Sequence, residues 1–205
     1  ALYKILLSPK KEHPLKEALL IPCSLLIGAV TYLRPKREAL EKNLSALSES
    51  LPIASFVRET KGFGFLSLAG IVAEAPGVAL RGFLDFPRVS TVWKRFGLAV
   101  IDGKRQRKVA GEGAIDQGYN PERRSLIWTI GDSIIKSGGP YYDLYLRYKA
   151  QEALKAAERA DGSKPMLLHR RAKRRMEKSL LRDLWAVWHR RPTGDIHLLP
   201  LKNVA

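Results

Sequence analysis

Apolar residues recur at spacings of three and four along the first quarter of the chain. The stripe begins at Leu26 and ends at Leu51, and Arg37 holds its one position that is not apolar. This period is typical of a helix that packs in a bundle or a coiled coil. Pro35 can begin a helix but not continue one, so we expect a break there and a new helix over residues 36–51. The segment is either an intramolecular helical hairpin or a dimerisation arm, and the stripe alone favours neither.

The pattern after this segment alternates between helices and turns. Residues 53–75 predict a helix, a tight glycine turn and a second helix, with a stop at Pro76-Gly77. A loop and a further helix are expected over residues 83–97, with Ser90 or Thr91 as the N-cap.

The second half of the chain begins with a polar stretch and continues as helices. Residues 101–124 are rich in glycine and cations, which predicts an exposed loop or a weak hairpin. Asn120-Pro121 supplies an N-cap and a first-turn proline for the next helix. The three helices expected here span residues 121–137, 141–160 and 165–190.

Few segments have the alternation of a strand, so the sequence predicts a mainly α fold. We expect a helical arm or hairpin over residues 1–55, which is a coiled-coil or dimerisation element if it packs against another chain. A helix-hairpin-helix domain is expected over residues 56–191, with a basic glycine-rich loop and a long C-terminal helix. Residues 192–205 are expected to form an irregular tail.

The net charge says more about the binding partner than the rest of the composition does. The 205 residues include 36 Lys and Arg against 20 Asp and Glu, for a formal net charge of +16. A field of this sign attracts polyanions, above all nucleic acid, and secondly an anionic membrane surface. The apolar run at residues 18–33 is shorter than the roughly 20 residues that cross a bilayer, and Pro22 interrupts it. We therefore expect a buried helix there rather than a membrane span.

The numbers and spacing of cysteine and histidine restrict the cellular compartment and the kinds of metal or disulfide site that the chain can form. The single cysteine, Cys23, excludes an internal disulfide, and a reducing, cytoplasmic setting fits best. The four histidines form no metal-binding spacing, so we expect neither a metal site nor a cofactor in this chain.

Three basic segments are candidates for contact with DNA. Lys61-Gly62-Phe63-Gly64 lies between two predicted helices, where backbone N–H groups can hold a phosphate; an ordinary interhelical turn uses the same residues. The others are the basic loop that begins at Lys104 and the basic face of the last helix. Residues 166–191 contain nine Lys and Arg and only two acids. A solvated loop or a localisation-type patch is the alternative for the basic loop. The predicted DNA-binding residues are Lys61, Gly62, Phe63, Gly64, Lys104, Arg105, Arg107, Lys108, Asn120, Arg123, Arg124, Arg170, Arg171, Lys173, Arg174, Arg175 and Lys178.

No catalytic centre is visible in the sequence. Residues 1–84 contain seven Glu and no Asp, and no pair of acids lies on strands, as a two-metal nuclease site requires. Ser125, Ser133 and Ser137 share a predicted helix without the base that activates a nucleophile. The catalytic residues are therefore unknown, and whether the chain is an enzyme stays open.

Four blocks carry a resemblance to a known family. In chain order they are LPIASFVRETKGFGFLSLAGIVAEA, FPRVSTVWKRFGLAV, GYNPERRSLIWTIGDSIIKSGGPYYDLYLRYK and HRRAKRRMEKSLLRDLWAVWHR. From about residue 36 to 191 the chain resembles the C-terminal region of the DEDD-type insertion-sequence transposases, also called bridge-RNA-guided recombinases. The family's RNase-H-like domain, with its acidic metal tetrad, has no counterpart here. Where many members place a catalytic Ser-Gly pair, this chain has Asp102-Gly103, so no catalytic serine is carried over.

The resemblance implies a C-terminal transposase domain that binds DNA, supports strand exchange in transposition and forms a homo-oligomer. It also implies a structured guide RNA as a further partner, and Mg²⁺ only where the acidic domain is present. The alternatives are a non-catalytic helix-hairpin-helix protein that binds double-stranded or structured nucleic acid, and a peripheral membrane or scaffolding protein.

Overall fold

The computed structural model describes residues 16–75, 82–111, 113–158 and 164–189, and contacts divide the chain into two compact units at residues 45 and 46. The elements are α1 (Lys16–Glu49), α2 (Ala54–Glu59), α3 (Phe65–Glu74), a 3₁₀ helix (Gly82–Asp85), α4 (Val89–Arg95), β1 (Val100–Ile101), β2 (Lys104–Arg105), α5 (Gly113–Gln117), α6 (Pro121–Ser137), α7 (Pro140–Glu158) and α8 (Pro165–Trp188). The predicted mainly α fold is confirmed. The expected stop at Pro76-Gly77 and the expected tail at 192–205 lie outside the described residues.

The first helix runs through both of its prolines. Pro22 and Pro35 lie inside α1, so the predicted break at Pro35 is wrong. An interior proline costs roughly 3 kcal/mol relative to alanine, but helix-favouring residues such as Leu, Glu, Lys and Ala follow it up to Glu49. The apolar stripe of residues 26–44 is exposed along this helix, so the expectation of a buried helix over residues 18–33 is wrong for the side chains that the structure describes there.

The core of the second unit forms around α8. The side chains at spacings of four on its apolar face, from Ala172 to Leu184, are fully buried. α8 packs against α7, α4, α6 and the 3₁₀ helix. Trp185 donates from Nε1 to the Phe86 carbonyl at 2.8 Å, and Trp188 packs edge-on against Phe83. Trp185 is therefore buried in the core, and Trp188 is partly buried against it.

The observed N-cap agrees with the prediction for α6 and differs from it for α4. Asn120 accepts a hydrogen bond from the Arg123 N–H at 3.0 Å, so the predicted start of α6 is confirmed. The N-cap of α4 is Arg88 rather than Ser90 or Thr91. Thr91 instead lies inside the helix and donates from its hydroxyl to the Arg88 carbonyl.

Candidate nucleic-acid interface

A two-residue hairpin presents the start of the basic loop. Val100 pairs with Arg105 and Ile101 with Lys104, which leaves Asp102-Gly103 as the turn. Both turn residues have positive φ, 50° and 69°. Two-residue hairpins favour this conformation because its twist matches that of the strands, and Asp-Gly is a preferred pair for it. The hairpin therefore follows from the sequence, and its second strand carries two exposed cations.

The neutral residue within the basic run anchors the loop. Gln106 is only 3% exposed. Its Nε2 donates to the carbonyls of Lys94 and Gln117, at 3.0 and 2.5 Å, and its Oε1 accepts from the Ala99 N–H at 3.2 Å. These bonds satisfy a buried amide that would otherwise be costly. The cations on either side of it, Arg105 and Arg107, stay exposed.

Cations from three segments of the chain surround one cavity of about 390 Å³. Four come from the basic loop and the exposed start of α8, and two come from α6 and the next turn of α8. The described residues that line the cavity include no carboxylate. They are Gly97, Arg105, Gln106, Arg107, Lys108, Tyr119, Arg124, Trp128, Arg170 and Arg174.

Two of these arginines also hold the cavity together. Arg174 donates to the carbonyls of Gly97 and Ala99, at 3.2 and 3.0 Å, which ties the base of the hairpin to α8. Arg124 Nη2 lies 2.8 Å from Oε2 of Glu177, a side chain with no exposed surface. Burial raises the pKa of Glu177 to about 7, even though the neighbouring Arg124 and Lys173 act in the opposite direction.

A second buried charge lies beneath the cavity. Lys173 is 0% exposed, pairs with Asp132, and has its Nζ 3.5 Å from the centroid of the Trp128 ring. Burial lowers its pKa in spite of Asp132 and Glu177. Trp128 also meets the His169 ring edge-on. The ammonium group of Lys173 is thus engaged within the protein, although the sequence placed it on the DNA-binding face.

The other cations predicted to bind DNA do not line the cavity. Arg123 pairs with Glu74 at 2.7 Å, and Arg175 pairs with Glu152 at 3.2 Å. Lys178 lies over the Trp93 ring, with its Nζ 4.1 Å from the centroid. The backbone around the cap residue Asn120 is fixed by α6, Lys104 is exposed on β2, and Arg171 is half-buried.

The predicted glycine turn lies at the opposite end of α6 from the cavity. Gly62 has φ 79°, and a Cβ there would come within 2.7 Å of the Ile134 Cα. Phe63 is buried against Phe56, while Gly64 is the exposed N-cap of α3 and Lys61 is exposed. Along α6, Ile134 is six residues from Trp128 and ten from Arg124, which corresponds to roughly 9 and 15 Å along a helix axis. The turn and the cavity are therefore distinct surfaces.

Sequence reasoning missed Gln106, Tyr119, Trp128 and Glu177. One local signal was present, because Arg124 and Trp128 are four residues apart and so share a face of α6; the Arg124 guanidinium carbon is 5.5 Å from the Trp128 centroid. The burial of Glu177 depends on packing between distant helices, which the sequence pattern does not specify.

The described residues contain no group of three or more His, Cys, Asp or Glu side chains placed to hold a metal ion. In the same part of the chain, no helix has the length and apolar character needed to cross a membrane. Ser137 donates to the Ser133 carbonyl at 2.8 Å, a bond within α6. A scan of protein-family models and searches of curated proteins and of solved structures found no match to this chain.

Proposed function

We propose that this chain binds DNA through the phosphate backbone, and that the cavity between the basic loop, α6 and α8 is the centre of the contact. The observation that carries the proposal is the meeting of six cations from separate segments around one cavity whose described lining has no carboxylate. Cations placed this closely repel each other unless an anion or solvent screens them. A polyanion is the ligand that this arrangement favours.

The exposed members supply the phosphate contacts. Arg105, Arg107, Lys108 and Arg170 are all exposed at the cavity. Arginine can contact a phosphate through two parallel N–H donors, which strengthens and orients the bond. Such contacts fix the position of DNA without reading its sequence.

The test measures the binding of a labelled DNA duplex by fluorescence anisotropy at several salt concentrations. Each phosphate contact contributes about 0.9 to the slope of log affinity against log salt. The triple variant Arg105→Gln/Arg107→Gln/Arg170→Gln is expected to bind less tightly and to lose about 2 to 3 from that slope. Its matched control removes three exposed cations elsewhere on α6 and α7, as Lys136→Gln/Arg147→Gln/Lys155→Gln. Equal losses in both variants would contradict the proposed site, and salt-independent binding would contradict the proposed function.

On the basis of the resemblance, we propose that this DNA-binding activity serves transposition. The chain would act as the C-terminal domain of an insertion-sequence transposase in the cytoplasm, and strand exchange would depend on an acidic Mg²⁺-binding domain supplied in cis or in trans. A structured guide RNA is a further partner on this proposal. The test is a strand-exchange assay on supercoiled plasmid with Mg²⁺. Activity of this chain alone would contradict the dependence on an acidic domain.

A stand-alone helix-hairpin-helix protein is the second candidate. It is favoured by the exposed N-terminus of α3, which has Gly64 as its N-cap, no side-chain cap and no acid in its first turn. Such an end can hold a phosphate. If the triple variant at the cavity binds DNA normally while Lys61→Gln does not, this candidate replaces the first.

The exposed stripe of α1 supports self-association. Leu26, Val30, Leu33, Leu40 and Leu44 are each 46–65% exposed at helical spacing. A repeat of this kind buries its apolar surface by pairing with another helix. We propose that two copies of the chain pair through this stripe.

A further inference from the structure

The cavity has room for a chemical group in addition to the phosphates at its rim. Cations on an open surface can hold a DNA backbone. A volume of about 390 Å³ lies instead within the range of roughly 300–1,000 Å³ in which protein cavities enclose a ligand. The cavity can therefore receive a group that projects from the DNA strand.

Two aromatic side chains line this cavity among the cations. Tyr119 lies close to Gly97, where an added Cβ would come within 3.1 Å of the tyrosine ring. The absence of a side chain at Gly97 gives the ring its place. Trp128 has Lys173 against its ring, and that lysine is fully buried. Both aromatic positions are thus set by packing before any ligand binds.

We propose that the cavity receives one unpaired nucleotide of a DNA strand. Its base lies against Tyr119 and Trp128, and the phosphates on either side contact Arg105, Arg107 and Arg170. This inference rests on the proposed DNA-binding function and adds to it a preferred form of DNA.

The chemistry of the cavity predicts little preference for one base over another. Aromatic rings stack on every base, and each contact contributes about 1–3 kcal/mol, or roughly 5- to 150-fold in affinity. A side-chain amide is a usual reader of base edges. The amide of Gln106 is already bonded to three backbone groups of the protein, so it is not available for this purpose. Arg124 is paired with Glu177 through its Nη2.

The experiment compares two labelled duplexes of the same sequence, one perfectly paired and one with a single extrahelical nucleotide at its centre. An already unpaired nucleotide avoids the cost of extrusion from the stack. We expect wild-type protein to bind the bulged duplex about tenfold more tightly, in keeping with one stacked base. Tyr119→Leu and Trp128→Leu should remove most of this preference, so each variant should lose more affinity for the bulged duplex than for the perfect one.

Trp93→Leu is the matched control, because Trp93 is half-buried under a lysine but does not line the cavity. Thermal unfolding of each variant is measured first, since the Lys173 side chain packs on Trp128. If Trp128→Leu does not fold, Tyr119→Leu at the cavity wall carries the test.

The outcomes separate this inference from the proposed function. Equal wild-type affinity for the two duplexes would overturn the nucleotide site and leave backbone binding intact. An absence of binding to either duplex would overturn both. A single strand of the same sequence, prepared once as DNA and once as RNA, gives two further ligands. Tighter binding of the RNA strand than of the DNA strand, with the same dependence on Tyr119, would overturn the assignment to DNA.

Discussion

Replacing Gly62 by alanine tests whether the glycine turn between α2 and α3 is held against α6. The new methyl group would lie 2.7 Å from the Ile134 Cα and 2.8 Å from the Ser133 carbonyl oxygen. Both are backbone atoms of a helix, so they cannot move aside as the end of a flexible side chain can. The backbone at Gly62 also has φ 79°, which a residue with a Cβ adopts at a cost.

These effects set the expected magnitude. Left-handed backbone costs a non-glycine residue about 1–2 kcal/mol, and overpacking of a close contact costs about 1–3 kcal/mol. The smaller entropy of the unfolded alanine chain offsets about 0.4–1 kcal/mol. We therefore expect the free energy of unfolding to fall by about 3 kcal/mol, which is a large part of the 5–15 kcal/mol typical of a folded domain.

The assay is urea unfolding followed by circular dichroism, and the matched control is in the same motif. Gly64 has φ −92°, and a methyl group added there would have no other atom within 4 Å. Gly64→Ala should change the free energy of unfolding by less than about 1 kcal/mol, the usual scale of an N-cap change. A loss below about 1 kcal/mol for Gly62→Ala, or equal losses for both variants, would refute the reasoning.

Two further predictions concern the buried acid and the arm. The pKa of Glu177 in the folded protein is about 7, above its ordinary value of 4.5, so the native state binds the proton more tightly than the unfolded state does. The resulting stabilisation is complete below pH 4.5 and is lost as the pH rises through 7. Between pH 5 and 8 the free energy of unfolding of the wild type should fall by about 2–3 kcal/mol more than that of Glu177→Gln, measured by urea unfolding; parallel pH profiles would contradict this. For the arm, Leu33→Ala/Leu40→Ala should weaken self-association at least about tenfold in sedimentation velocity, because each buried leucine contributes about 1.5–3 kcal/mol. The exposed pair Glu38→Ala/Lys42→Ala is its control, and a monomeric wild type would refute pairing through the stripe.

Local chemistry made most of the helices after residue 51 predictable, but α5 lies in the stretch that was expected to form a loop or a hairpin. Asn120-Pro121 combines a side chain that accepts the first free N–H with a proline whose φ suits a first turn, and α6 begins there. The turn at residue 62 was predictable because glycine can adopt the positive φ that the structure shows there. Pro35 misled the prediction because a proline removes only one backbone donor, and a long helix with favourable residues on both sides can tolerate that loss.

The candidate site was only partly predictable, because helical periodicity does not distinguish a cation that faces solvent from one that faces a buried acid. Lys173 and Arg170 belong to the same predicted basic face, yet Arg170 is exposed and Lys173 pairs with Asp132 of α6. Glu177 lies four residues after Lys173, a spacing that gives a local pair. Which helix covers Lys173 and Glu177 depends on tertiary packing, which cannot be inferred from a short stretch of sequence.

The hydrogen bonds of the Gln106 side chain limit how other proteins can bind the basic segment around it. A receptor or a protease that recognises a linear cationic tract needs several consecutive residues in an extended form, with their backbone accessible. Here the central residue of the tract is fastened to the carbonyls of Lys94 and Gln117. The tract between Lys104 and Lys108 is thus available as a surface but not as a peptide while this region stays folded. Tryptic cleavage within it would report local opening of the native protein rather than the exposure of its charges.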